Sequence, residues 1–235
     1  GRLSYQVANG QEVGLNYLYS QGWNRYDSSY PLAATSDYKL YQTISSVGAY
    51  SKNRVSDGWV SKLQMGQSID DNKSMGDGAL LSNYRTVQNQ LQWQNDVELG
   101  SGLAMLGLEK LDQRVGSADK DYFVKSRTID SIFAGWVKSS GIHNYQINLR
   151  SDRNSQYGTK STGMLGYGYR WASYWRANAS VGTGFKAPGF NDLYWPRSQY
   201  EAGNPNLLPE SSLNREVSIH REQGDGHASL VYYQN

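Results

Sequence analysis

Hydrophobic and polar positions alternate with a period of two along much of the chain, the spacing that sends successive side chains to opposite faces of a β-strand. Between Tyr174 and Phe185 one set reads Trp175, Ala177, Ala179, Val181, Thr183 and Phe185, and the other Tyr174, Arg176, Asn178, Ser180, Gly182 and Gly184. From Thr86 to Val97 the apolar set Val87, Leu91, Trp93 and Val97 opposes Thr86, Gln88, Gln90, Gln92, Gln94 and Asp96. Val13, Leu15, Tyr17 and Tyr19, then Trp59, Leu63, Met65 and Ile69, then Leu165, Tyr167 and Tyr169 repeat the pattern; the stretches 103–111 and 129–137 are less regular. Short turns are expected at 9–10, 53–58, 96–102, 138–141, 171–173 and 223–226, and longer polar loops at 21–36, 70–79, 112–121, 152–160 and 182–210. The result is roughly 12 strands, with short turns at one end, long loops at the other, and no helical period.

Two architectures satisfy such alternation. A soluble sandwich or propeller buries one face of each sheet, usually with strands of about five or six residues. An outer-membrane barrel uses strands of about ten, short turns on one side, long loops on the other, an apolar outer band and a polar lumen. The segments here reach ten or more residues and four glutamines share one face, which favours an all-β, antiparallel up-and-down transmembrane β-barrel. The mean hydropathy of −0.69 is compatible, because lumen faces and loops outweigh a thin lipid-facing band. A spanning sheet leaves no open edge in lipid. Both end segments, "LSYQVA" and "HASLVYYQN", read as strands, so the chain is expected to be a piece of a larger barrel.

Composition narrows the partners. The 235 residues carry 23 Lys and Arg against 21 Asp and Glu, scattered without a basic block, so nucleic acid is not an expected partner. The absence of cysteine removes disulfides and thiolate metal sites. No run approaches the roughly 20 apolar residues of a membrane helix, and the first ten residues show no charged and then apolar leader pattern. Candidate chemistry is sparse. His143, His220 and His227 lie in strand-like segments away from any nucleophile elbow, and Glu98, Glu109, Asp112 and Asp119 read as solvated charges at turns or loop edges. The acidic string "SIDDNKSMGDG" lacks the spacing and closing glutamate of a calcium loop and reads as a solvated loop. No enzyme is expected.

The stretch "GTGFKAPGFNDLYWPRSQYEAGNPNLLPE", residues 182–210, holds four of the five prolines. Pro188 and Pro205 fix φ and push Ala187 and Asn204 towards extended geometry, Gly203 and Asn206 tolerate positive φ, and Pro209 closes the segment before alternation resumes. A rigid loop without a helix is the expectation, in which Leu193, Tyr194 and Trp195 either pack on the wall or face ligand, packing being favoured because leucine favours burial. Nothing in these residue types argues for ligand contact.

The same stretch resembles a signature of TonB-dependent outer-membrane receptors. The matching residues are Phe185, Lys186, Ala187 and Pro188, then Leu193 and Tyr194, then Gly203, Asn204, Pro205, Asn206, Leu207, Pro209 and Glu210. "FNDLYWP", with "LYSQGWNRYDSSYP" and "LRSDRNSQYG" upstream, is similar to the cobalamin transporters of that family. The resemblance implies a bacterial outer-membrane receptor with a 22-stranded barrel around an N-terminal plug. Such a receptor captures cobalamin, or another scarce nutrient chelate such as a siderophore or haem, and imports it with energy delivered by TonB. Residues 1–235 would then be a barrel segment of about 12 strands, with no segment resembling the plug. No covalent cofactor is implied. In cobalamin receptors calcium orders extracellular loops, and the resemblance carries that role to Asp27 with the backbone of Tyr26.

Overall fold

The computed structural model describes residues 1–27, 37–117, 121–197 and 202–235. Asp119, and most of the expected loop 21–36, lie outside the described residues. The described chain forms one 12-stranded sheet whose spatial order is the sequence order. The strands are β1 Arg2–Ala8, β2 Gln11–Arg25, β3 Tyr38–Ser56, β4 Trp59–Gly76, β5 Ala79–Leu99 and β6 Gly102–Gly116, followed by β7 Ser126–Ser140, β8 His143–Asn154, β9 Gly158–Ala172, β10 Trp175–Lys186, β11 Glu210–Gln223 and β12 Gly226–Gln234. One short helix, α1 Phe190–Tyr194, lies between β10 and β11. Every strand pairs antiparallel with its sequence neighbours, and β1 and β12 are the two edges of the sheet.

The register fixes which residues share a face. Across β9, β10 and β11, Leu165, Val181 and Arg215 stand in one row and Gly166, Ser180 and Glu216 in the adjacent one, on the opposite face. The row Leu63, Trp93, Leu108 and Ile132 runs from β4 to β7 on the apolar face, while Gln88 to Gln94 occupy the other. A soluble sandwich would bury the first face against a second sheet. Instead it is bare: Met65 is 63% exposed, Leu165 55% and Leu230 74%. No second sheet is present among the described residues, so the sandwich fails and the apolar face is the lipid-facing exterior of a barrel wall. Burying a valine- or leucine-sized side chain is worth roughly 1.5–3 kcal/mol each, and here the bilayer rather than a protein core supplies that burial.

Connections at one end are two residues long, at 9–10, 57–58, 100–101, 141–142, 173–174 and 224–225; four fall inside the expected turns, and those at 141–142 and 173–174 lie one residue past them because β7 and β9 run on to Ser140 and Ala172. The other end departs from expectation. Residues 70–79 are no loop: β4 and β5 stay paired as far as Gly76 and Ala79. Asp77 and Gly78 both take positive φ, 49° and 85°, the geometry of a type I′ hairpin turn that Asp-Gly favours. The segment 152–160 likewise shrinks to a connection at 155–157. The reason is geometric. At about 3.4 Å per residue and a tilt near 45°, the 21 residues of β5 rise about 50 Å, roughly twice the ~25 Å apolar band. Beyond the band, polar strands remain paired in water, and their composition looks like loop.

The irregular stretches 103–111 and 129–137 are regular strands carrying apolar side chains on both faces. Leu106, Leu108, Ile132 and Trp136 face outward, and Leu103, Met105, Phe133 and Val137 inward. That double pattern also corrects Glu109. It is not a loop-edge charge but sits on the inward face of β6, accepting from Arg150 Nη2 at 2.6 Å and Gln90 Nε2 at 2.8 Å. Asp112 also lies within β6 and accepts from Thr128 Oγ1 at 2.7 Å.

Candidate functional site

Among the described residues only four hydrophobic side chains are buried: Val115, Tyr122, Phe190 and Leu193. Val115, Tyr122 and Phe190 pack as one cluster, with Tyr194 and Trp195 against it, at the end of the sheet opposite the short turns. The segment after β10 supplies Phe190, Tyr194 and Trp195; the receiving surface comes from β5, β6, the β6–β7 connection, β7 and the β8–β9 connection. Val115, opposite Thr86, belongs to the inward face. The described part of this segment therefore folds over the rim onto the inward face of the wall.

Polar contacts fix that position. Arg127 Nη1 donates to Pro188 O at 2.9 Å, its guanidinium lies 4.9 Å from the centre of the Phe190 ring, and its Nε donates to Gln113 Oε1 at 2.7 Å. Tyr122 donates its hydroxyl to Asn191 Oδ1 at 2.6 Å, Gln156 Nε2 donates to the Tyr194 hydroxyl at 2.9 Å, and the Tyr157 hydroxyl donates to Leu207 O at 3.3 Å. Burial pushes the Tyr157 phenol up, with a smaller push from Tyr194 and an opposing pull from Arg127. It thus stays a donor. Trp195 meets Tyr84 and Tyr122 edge-on at 6.5 and 6.2 Å.

Each signature residue has a place in this assembly. Phe185 and Lys186 end β10; Lys160 Nζ lies 5.8 Å from the Phe185 ring centre, and Lys186 pairs with Glu210 across the loop base at 3.5 Å. Ala187 and Pro188 are half-buried and lead into α1, where Asp192 Oδ2 accepts from the Gly189 N–H at 2.8 Å. Leu193 is 1% exposed, which bears out packing over ligand contact for that side chain. The expected helix-free loop is corrected by α1, a single turn closed by Leu193 N–H to Gly189 O and Trp195 N–H to Asn191 O. Gly203 and Asn206, which tolerate positive φ, do not adopt it. Gly203 is needed for another reason: a Cβ there would lie 2.5 Å from Trp195 N and 2.6 Å from Leu193 O. That close approach lets Gly203 N–H reach Trp195 O and Asn204 N–H reach Asp192 O. Asn204 Oδ1 accepts from Asn206 N–H at 3.0 Å, an Asx turn. Pro205, Asn206 and Leu207 are exposed, and Pro209 is half-buried just before β11.

The receiving residues Tyr122 and Arg127 had no signal in the sequence, since they lie 69 and 61 residues from their partners in the loop and in no motif; Gln156, 38 residues from Tyr194, falls within "LRSDRNSQYG", which carried no pointer to this contact. His143 is a wall residue: its Nδ1 meets the Tyr167 hydroxyl at 2.7 Å and its ring stacks on Tyr169 at 5.4 Å, on the outward face near the short turns. His220 Nε2 lies 3.0 Å from Ser218 Oγ, with no carboxylate bonded to the imidazole.

Tyr26 and Asp27 follow β2. The Tyr26 N–H donates to Tyr38 O at 3.2 Å, its hydroxyl pairs with Ser74 Oγ, and Asp27 is exposed. Calcium takes six to eight oxygens, and no group of three acidic, histidine or cysteine side chains gathers among the described residues. Asp27 and the Tyr26 carbonyl alone do not make a calcium site.

A single antiparallel meander with a bare apolar exterior and a largely polar inward face is the wall of a transmembrane barrel. The chain matches the family model described as TonB dependent receptor-like, beta-barrel, over residues 2–235, and belongs to that family of the bacterial outer membrane. Within it, the chain is similar to the vitamin B12 transporter BtuB of Photobacterium profundum, at 32% identity over 215 residues, covering 91% of this chain and 34% of that protein. The vitamin B12 transporter BtuB of Vibrio vulnificus is 35% identical over 181 residues, 73% of this chain and 28% of its own length. The chain thus spans about a third of the curated relatives it matches. In fold it resembles the siderophore receptor PirA from Pseudomonas aeruginosa, with a TM-score of 0.76 at 16% identity, covering 99% of this chain and 44% of that one.

Proposed function

We propose that this chain is part of the barrel wall of a receptor that captures cobalamin at the cell surface and imports it with energy delivered by TonB through a plug domain. One observation carries the reading: the similarity to vitamin B12 transporters extends over 91% of the chain at 32% identity, whereas the likeness to siderophore receptors, at 16%, is one of fold. The geometry supports a capture role. The polar inner face offers hydrogen-bonding side chains such as Gln64, Gln88, Gln90 and Asn148 to a solute, and the 187–209 loop is pinned by Arg127 and Tyr122 into a fixed rim. A receptor for a siderophore or haem is the alternative within the family.

Binding separates the two. Purified full-length receptor is expected to bind cyanocobalamin at submicromolar concentration and to ignore ferric siderophores; siderophore or haem binding without cobalamin binding would overturn the assignment. Calcium belongs to the same proposal. Asp27 would contribute one ligand beside oxygens from other residues, so cobalamin affinity should rise with calcium, and Asp27→Ala should remove that rise.

A further inference from the structure

Four consecutive inward positions of β5, Gln88, Gln90, Gln92 and Gln94, carry the same side chain. The strand runs from the Asp77-Gly78 turn on the long-loop side to the short turn at 100–101. The four amides therefore descend through the wall from one end to the other, about 6.8 Å apart along the strand. Beside them lies a groove of about 310 Å³. Its floor carries small residues: Gly48 stands opposite Gly66, and Ser46 opposite Ser68. Gln64, Gly66 and Ser68 stand in turn opposite Gln92, Gln90 and Gln88, so the glutamines bank the groove along its length.

The amide hydrogens are drawn away from that groove. Gln92 Nε2 donates to Gln94 Oε1 at 3.2 Å, Gln94 Nε2 to Asp96 Oδ1 at 2.7 Å, and Gln90 Nε2 to Glu109 Oε2 at 2.8 Å. The Oε1 acceptors of Gln90 and Gln92 are left without a donor among the described residues, and Gln64 and Gln88 bond no described residue at all. Charge is confined to the groove's ends and its far bank. On β4 the inward series reads Lys62, Gln64, Gly66, Ser68 and Asp70, and Glu109, across from Gln92, is paired with Arg150 at 2.6 Å. Neutral amides exchange water for a new partner with little net gain. A solute held by several of them is thus held weakly at each, the condition for passage rather than storage.

We propose that the Gln88–Gln94 ladder and its groove form a transit track for a neutral solute bearing carboxamide groups, whose amides pass from one glutamine to the next between the long-loop side and the short turns. Carboxamides both donate and accept, so they satisfy the free Oε1 acceptors of Gln90 and Gln92 as well as the unengaged amides of Gln64 and Gln88. An anionic chelate would call for cations, and the groove between Gln64 and Ser68 has none. The solute class rests on the cobalamin reading above, since the cobalamin ring bears carboxamide arms; the track adds a passage step distinct from capture.

The test expresses full-length receptor in cells that lack their own cobalamin transporter, and measures surface binding of radiolabelled cyanocobalamin without TonB and its initial uptake rate with TonB. Gln88→Leu/Gln92→Leu should bind within about twofold of wild type yet take up at least about fivefold more slowly, the loss of two neutral hydrogen bonds. Gln88→Asn/Gln92→Asn keeps the amides and should recover most of the rate, and Gln67→Leu, on the outward face of β4, should match wild type. Unaltered uptake by the leucine variant, an equal fall in binding and uptake, or no recovery with asparagine would overturn the track. Slowed uptake accompanied by new sensitivity to vancomycin would mean that these amides seat a plug domain, and would overturn it too. Wild-type receptor that binds no cobalamin would instead overturn the function reading, and the solute class with it. Heat-modifiable gel mobility reports folding; should the double leucine variant not fold, Gln88→Leu alone should slow uptake about twofold, and an unchanged rate would contradict the track.

Discussion

At Gly203 a single hydrogen stands where any side chain would strike backbone. The nearest atoms to an added Cβ belong to the main chain of Leu193 and Trp195, which shift only if α1 moves. Gly203→Ala should therefore displace the loop at a cost of about 1–3 kcal/mol, and Leu193→Ala should loosen it by about 2–5 kcal/mol. Both costs fall on local opening rather than on the barrel. Faster trypsin cleavage after the exposed Arg197 in both variants, with the unfolding midpoint unchanged, is the expected result. The Lys186–Glu210 pair is different: both side chains are 75% exposed, and such pairs are worth about 0–1 kcal/mol, so Lys186→Gln should leave cleavage unaltered. Just before β3, Asp37 is held below the ordinary carboxylate range, first by its hydrogen bond from Lys39, against desolvation, and with the charges of Lys39 and Arg25 helping. A carboxyl with a depressed folded pKa stabilises above its unfolded value, near ~3.9, and loses that contribution as pH falls through the folded pKa. Acidification from pH 7 to about 5 should leave this clamp closed. An NMR titration of the Asp37 carboxyl with a midpoint above ~4 would contradict the clamp.

Strands were the most legible elements, because one requirement sets both sequence and structure. A wall between lipid and a polar lumen forces alternation, so Trp175 to Phe185 could be assigned to faces residue by residue, and all the two-residue turns but Ser173-Tyr174 contain a glycine that interrupts the pattern. Legibility failed where that requirement lapses. Beyond the bilayer, "SIDDNKSMGDG" forms strand ends around an Asp77-Gly78 turn, because pairing persists without apolar residues to mark it. On β6 and β7 the inward face is partly apolar, which hid Glu109 among residues that looked irregular. The candidate site was half legible. The motif located the loop, and leucine's need for burial placed Leu193, but Arg127 on β7 and Tyr122 and Gln156 in the β6–β7 and β8–β9 connections are brought to it by the long-range order of the sheet and not by any local pattern. The face assignment makes its own prediction. Val181→Arg, on the lipid face, should destabilise full-length receptor by about 2–4 kcal/mol if it sits near the bilayer midplane, and Ser180→Arg, on the lumen face, should cost far less, as read by denaturant unfolding in liposomes. Similar costs at both positions would contradict the assignment.

As a whole the described chain is a wall with three surfaces: an apolar exterior for the bilayer, a largely polar inward face, and a rim over which the segment after β10 folds. Its family membership follows from the sheet and the match over residues 2–235. Its proposed cargo follows from similarity to vitamin B12 transporters. The most direct measurement is uptake of radiolabelled cyanocobalamin by cells that lack their own cobalamin transporter and express the full-length receptor, with and without TonB. The account predicts accumulation that requires both the receptor and TonB. Accumulation of a ferric siderophore without cobalamin, or cobalamin uptake unchanged by loss of TonB, would contradict it.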